Sequence, residues 1–295
     1  MAAREGLEPP TSALGKRCSI LLSYRAATKG GHSAKGWPVR RLLIGFGRGL
    51  AAAGLLSLVA CGDGAGLDRL AAGEQGRVAD VRSGDVMVLE SGQVVRLAGL
   101  EAPRQGDAGA DAALSDLRRL AEGQDVALFY GGARTDPYGR TLAQVRLAKG
   151  RAWLQCALLR DGVARVRTFA DNRAMAEPML DCEAQARRAK RGLWASPANQ
   201  VRLPGEIDGR AAGFQIVEGR VARTTWADGG FYLDFSEARG GFAVQIAGRA
   251  APDLRKAGLD PQSLSGKLIR VRGVIVGDGL MRVDHPEQIE LLRER

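Results

Sequence analysis

From residue 77 the chain alternates apolar and polar positions with the two-residue period of a strand. The stretch RVADVRSGDVMVLESGQVVRLAGL predicts three strands, with Ser83-Gly84 and Ser91-Gly92 as the turns between them. The period then lengthens. Ala113, Leu114, Leu117, Leu120 and Ala121 recur at helical spacing and predict a helix over 111–121. Two further strands, near 125–130 and 141–147, flank GGARTDPYGR, and helices are expected over 153–160 and 174–190, the second ended by Gly192. Five short strands with appended helices predict a mainly β fold built on a five-stranded barrel of OB type.

A second unit is expected over 213–292, after a linker at 196–212 that carries Pro197 and Pro204. FQIVEGRVARTTWADGGFYLDFSEARGGFAVQIAG predicts three strands with ADGG and ARGG as turns. A short helix over 252–257 follows, then GKLIRVRGVIVGDGLMRVDHPEQIELL with GDG as a hairpin signal. This pattern predicts a second small OB-like β-barrel. Trp226, Phe231, Tyr232, Phe235 and Phe242 could form a base-stacking platform, but the alternation of Phe231, Leu233 and Phe235 favours core packing. Residues 206–295 hold thirteen basic and thirteen acidic side chains, so no net field draws a polyanion there. A structural or protein-docking role therefore stands beside nucleic-acid binding for this unit.

The region before residue 77 has a different character. Residues 1–38 show no sustained apolar period, and REGLEPPTSALGKRCSILLSYRA resembles the translation of a transfer-RNA gene; a spurious leader or a disordered extension is expected, with Val39 a candidate start. Residues 39–60 read as an export signal: Arg40, Arg41 and Arg48 precede the apolar run LAAAGLLSLVA, which is too short to span a bilayer. Leu58-Val59-Ala60-Cys61 looks like a bacterial lipobox, in which the Cys61 thiol takes the lipid. A lipid-anchored protein on the periplasmic side of the envelope is expected, with a membrane contact through Cys61 and a flexible tether over 61–76.

Charge changes the picture less than its total suggests. Of the formal net charge of +10, residues 1–60 contribute +7 through nine basic and two acidic side chains, leaving +3 for 61–295. The electrostatic case for a polyanion partner is modest. Cys156 and Cys182 remain once Cys18 and Cys61 are set aside; they would either form a disulfide closing a 26-residue loop or lie as two buried thiols. His285 is the one histidine after the leader, which argues against a histidine base in the main unit.

Five motifs occur in order: Ser83-Gly84-Asp85, RLAGLEAP, Asp136-Pro137-Tyr138-Gly139-Arg140, LLRDGVARV and EAQARRAKRGLW. Together they resemble the staphylococcal nuclease (thermonuclease) family over 77–195. The resemblance implies a nuclease acting on DNA or RNA. It implies Asp85, Glu101 and the backbone carbonyl of Ala102 as ligands to calcium or another divalent metal. It also implies Arg96 and Arg140 as a guanidinium clamp on the scissile phosphate.

The chain departs from that pattern at telling places. Glu101 stands where relatives carry aspartate, and Arg104 stands where they carry the glutamate that acts on the attacking water; a guanidinium cannot accept a proton. Ser83 and Val86 also replace residues expected near the metal. Asp107 is a candidate substitute base. Two functions of different class follow: a membrane-anchored, metal-dependent phosphodiesterase of doubtful efficiency, or a catalytically impaired nuclease-fold lipoprotein that binds nucleic acid or an envelope protein, the latter through 213–292.

Overall fold

The computed structural model describes residues 66–207, 213–236, 241–277 and 279–293. The expected leader, export signal and Cys61 lie outside the described residues.

Strands β1 (Ala71–Ser83), β2 (Val86–Leu89), β3 (Val94–Leu97), β5 (Asp125–Tyr130) and β6 (Thr141–Leu147) form a closed barrel in the order β1-β2-β3-β6-β5. The long β1 makes closure possible: its first half pairs with β5 and its second half with β2. Register shifts between Val78 and Asp80, and between Val81 and Ser83, break the strict alternation, so Val78 and Val81, three residues apart, both point into the core. Met87, Leu89, Val95, Leu97, Leu128 and Val145 fill it from the other strands.

Helix α1 (Ala110–Ala121) buries Ala113, Leu117 and Ala121 along one stripe and lies over β1. Gly84 permits this approach, because a Cβ there would come within 2.4 Å of the Ala113 Cβ and 2.8 Å of the Ala102 Cβ. The helices α2 (Leu154–Asp161) and α3 (Ala176–Arg188) pack together and are joined by a Cys156–Cys182 disulfide with Cα atoms 5.4 Å apart. A crosslink over a loop of 26 residues stabilises by about 3–4 kcal/mol in the chain-entropy picture. A two-residue ladder outside the barrel pairs β4 (Leu100–Glu101) with β7 (Arg165–Val166).

The segment expected as a tether over 61–76 is structured within its described part. Leu67 is fully buried and Ala71–Gly76 runs along β5, because the small residues of this segment let the strand lie close against its neighbours.

The second unit contains β8 (Gly213–Arg220), β9 (Arg223–Ala227), β10 (Gly230–Asp234), β11 (Ala243–Ala247), α4 (Ala251–Lys256), β12 (Leu268–Val276), β13 (Leu280–Val283) and β14 (Ile289–Leu291). The stretch read as three strands holds four. The chain switches partners at Val221 and Ala222, whose N–H groups donate to Lys267 and Asp234, and this separates β8 from β9. The seven strands curl around one core that includes Val217, Phe231, Leu233, Val244, Ile246 and Val271. No pairing among the described residues closes this sheet into a ring. The expected linker is also docked in its described part: the Arg202 N–H donates to the Ile216 carbonyl at 2.9 Å, and Ile207 is buried.

The seven-stranded sheet meets the barrel unit through a buried ionic cluster. Glu183 on α3 is fully buried and accepts from the Val166 N–H at 2.6 Å and from Arg272 of β12 at 3.1 and 3.2 Å. Arg272 also donates to Glu290 of β14 at 2.9 Å. Nearby, Thr168 Oγ1 and His285 Nε2 lie 2.8 Å apart, both residues buried. The second unit thus grips β7 and the residues that follow it.

Candidate functional site

A cleft of about 770 Å³ opens on the barrel beside the β1–β2 turn, β3, β4 and the 135–140 turn. Asp85, Arg96, Glu101, Ala102 and Arg140, all expected on sequence grounds, line it together.

Each is set by a strand or by the turn beside one. Asp85 follows the Gly84 turn and accepts from Ser83 Oγ at 2.8 Å, so Ser83 supports the carboxylate rather than adding a charge. Arg96 sits opposite Val86 in the β2–β3 register and brings Nη2 to 3.6 Å from Asp85 Oδ2, the side chains being 15% and 14% exposed. Gly99 lets the chain turn from β3 into β4: it has φ +82°, and a Cβ there would meet the Met179 methyl at 2.3 Å. β4 then presents Glu101.

Asp136 organises the opposite wall. Its Oδ1 accepts the N–H groups of Tyr138 and Arg140, both at 2.9 Å, and its Oδ2 accepts from Arg140 Nε at 2.7 Å. Burial works against the Asp136 charge, but the bonds from the Arg140 side chain and from the two backbone N–H groups outweigh it and hold the carboxyl below its usual value. Asp136 therefore fixes the Arg140 side chain in place from both its backbone and its Nε. The guanidinium lies 5.3 Å from the Tyr138 ring centroid, and Tyr138 is 84% exposed.

Arg104 lines the cleft and is exposed. Asp107 is not brought into the lining. Its Oδ2 accepts the Arg104 backbone N–H at 3.1 Å, which ties this candidate base to the loop that carries Arg104.

Arg167 and Phe169 are among the lining residues that lie beyond the motifs. Arg167 forms an ion pair with Glu101 and lies 5.4 Å from the Phe169 ring centroid, and Phe169 is 43% exposed. The signal was the run Arg165-Val166-Arg167, whose alternation continues a strand one position past the recognised LLRDGVARV. In the second unit Phe231 and Leu233 are core and Phe235 packs against it, as their alternation suggested; Phe242 is core as well, whereas Trp226 is 57% exposed and packs edge-on to Phe231.

A divalent metal fits this donor set poorly. Calcium takes about six to eight oxygen ligands. Here Asp85 is engaged by Ser83 and Arg96, Glu101 by Arg167 and Asp136 by Arg140.

The closed five-stranded barrel with a guanidinium-lined cleft defines a nuclease-type OB fold. Residues 94–196 match the family model described as Staphylococcal nuclease homologue, and they include β3, β4, β5 and β6. The match covers about a third of the chain and begins at β3, so Asp85 precedes it. No curated protein matches the chain. A nuclease-like or nucleic-acid-binding function follows at the level of the family.

Proposed function

We propose that the cleft binds the phosphodiester backbone of DNA or RNA and that hydrolysis there is slow. The reading rests on one observation: Arg96 and Arg140 line a single cleft, Arg140 fixed by Asp136, and the same cleft is lined by Arg104, which the resemblance to thermonucleases places at the position of their proton acceptor. Planar guanidinium groups match phosphate oxygens and keep their charge. A positioned base contributes about 10²- to 10⁴-fold to such reactions, and without one binding outlasts chemistry.

A divalent-metal-dependent phosphodiesterase is the second reading. It is favoured by Asp85 and Glu101 facing the same cleft as the clamp. The lipid anchor on Cys61, and with it a place on the periplasmic side of the envelope, rests on Leu58-Val59-Ala60-Cys61.

The test is oligonucleotide binding by fluorescence anisotropy across a salt series. Arg140→Ala should weaken binding at low salt and reduce the salt slope by about 0.7 for one lost single-strand phosphate contact. An unchanged affinity and slope would move the binding surface elsewhere. Rapid cleavage by the parent would favour the second reading.

A further inference from the structure

Glu101 and Arg167 are held against each other from both sides. β4 carries Glu101 opposite Arg165 of β7, and two residues later the Arg167 N–H donates to the Gly99 carbonyl at 2.9 Å. The pair is therefore fixed to one backbone ladder. Beyond it, Thr168 is tied to His285 of the second unit at 2.8 Å, and Val166 is tied to Glu183 of the buried cluster at 2.6 Å. Arg167 is bracketed by two buried anchors, so its position is a property of the whole fold.

A divalent cation in a phosphodiester cleft neutralises the carboxylates and attracts the phosphate oxygens. A guanidinium seated on a carboxylate does both. It has five N–H donors, of which the ion pair with Glu101 uses only part, and the Arg167 side chain remains 25% exposed beside the cleft. Any metal taking Glu101 would have to displace a cation and sit against it, which like-charge repulsion opposes.

We infer that Arg167 is the resident cation of the cleft: seated on Glu101, it acts with Arg96 and Arg140 to hold a nucleic-acid phosphate without a divalent metal. This deepens the phosphodiester-binding reading and rests on it.

The full chain, Arg167→Ala and Arg167→Lys are compared in two assays. The first is anisotropy with a fluorescein-labelled oligo(dT), in chelator and then in calcium. The second is calorimetric titration with calcium chloride alone. The parent should bind oligonucleotide equally, within about twofold, in both conditions and should take up no calcium in the millimolar range. Arg167→Ala should lose about tenfold or more in chelator, should acquire a calcium-binding heat because Glu101 is freed, and should recover affinity when calcium is added. Arg167→Lys keeps the charge and should stay nearer the parent, which also reports on folding. Calcium uptake by the parent, a tenfold loss on chelation, or an Arg167→Ala variant that matches the parent in both assays would overturn the inference. If the parent binds no oligonucleotide, the phosphodiester reading fails by itself, and the calcium titrations of parent and variant still decide what occupies Glu101.

Discussion

Replacing Glu183 by alanine tests how the second unit serves the cleft. Glu183 is fully buried and accepts three hydrogen bonds, from the Val166 N–H and from both terminal nitrogens of Arg272. Burial disfavours the charge on Arg272, which is 2% exposed, but Glu183 and Glu290 more than offset it and raise the guanidinium pKa above its ordinary value. Without Glu183, Arg272 keeps Glu290 as its one close carboxylate among the described residues, Arg187 loses its 3.6 Å pairing with Glu183, and the Val166 N–H loses its acceptor. Breaking one side of a buried ion pair costs about 3–5 kcal/mol, because the remaining charge stays out of water. With a urea dependence near the upper end of about 1–3 kcal/mol/M for a unit of this size, the midpoint should fall by roughly 1–2 M. The buried Trp153 and Trp194 provide the fluorescence signal. The double variant Glu183→Leu, Arg272→Met removes both charges and should be less destabilised than the single variant by about 2 kcal/mol or more. The single change should also weaken oligonucleotide binding, since Val166 lies next to Arg167. A loss below about 1 kcal/mol, or a double variant as unstable as the sum of its parts, would refute the reasoning.

Two further outcomes are expected. Arg104→Glu exchanges an exposed cation for an anion in the cleft and supplies a proton acceptor, so it should weaken binding by about tenfold while raising cleavage per bound complex, by up to about 10²- to 10⁴-fold; unchanged cleavage at saturating DNA would show that a base is not what the cleft lacks. The Tyr130 hydroxyl is pushed up to about 12 by burial and by its hydrogen bond to Glu74. A raised pKa means that this stabilisation is complete below the ordinary phenol value of about 10 and is lost as pH rises through about 12. In ultraviolet titration, Tyr130→Phe should remove a phenolate step near 12, and persistence of that step would assign it to another tyrosine.

The barrel and most of the cleft were legible because they depend on local signals. Two-residue alternation, the Ser-Gly turns and the helical spacing of Ala113, Leu117 and Ala121 placed the strands of the barrel and α1 within a few residues of where they lie. Arg96 sits on β3, Asp85 and Arg140 on the β1–β2 and β5–β6 turns, and Glu101 on the short β4 that follows β3, so placing the barrel strands brought them near one another. The early start of β1 was hidden because AAGEQG has few apolar side chains, and its place depends on pairing with β5, more than fifty residues away.

The partners of the site residues were decided only in three dimensions. Arg167 meets Glu101 across 66 residues, Arg272 meets Glu183 across 89, and His285 meets Thr168 across 117. Spacing along a chain carries no record of such pairs. The last two arise where two sheets with separate cores bury polar groups between them, and each such group must find a partner or remain unsolvated. The sequence by itself determined which side chains could recognise phosphate; the pairing of β4 with β7, which only the tertiary structure shows, placed a guanidinium on Glu101.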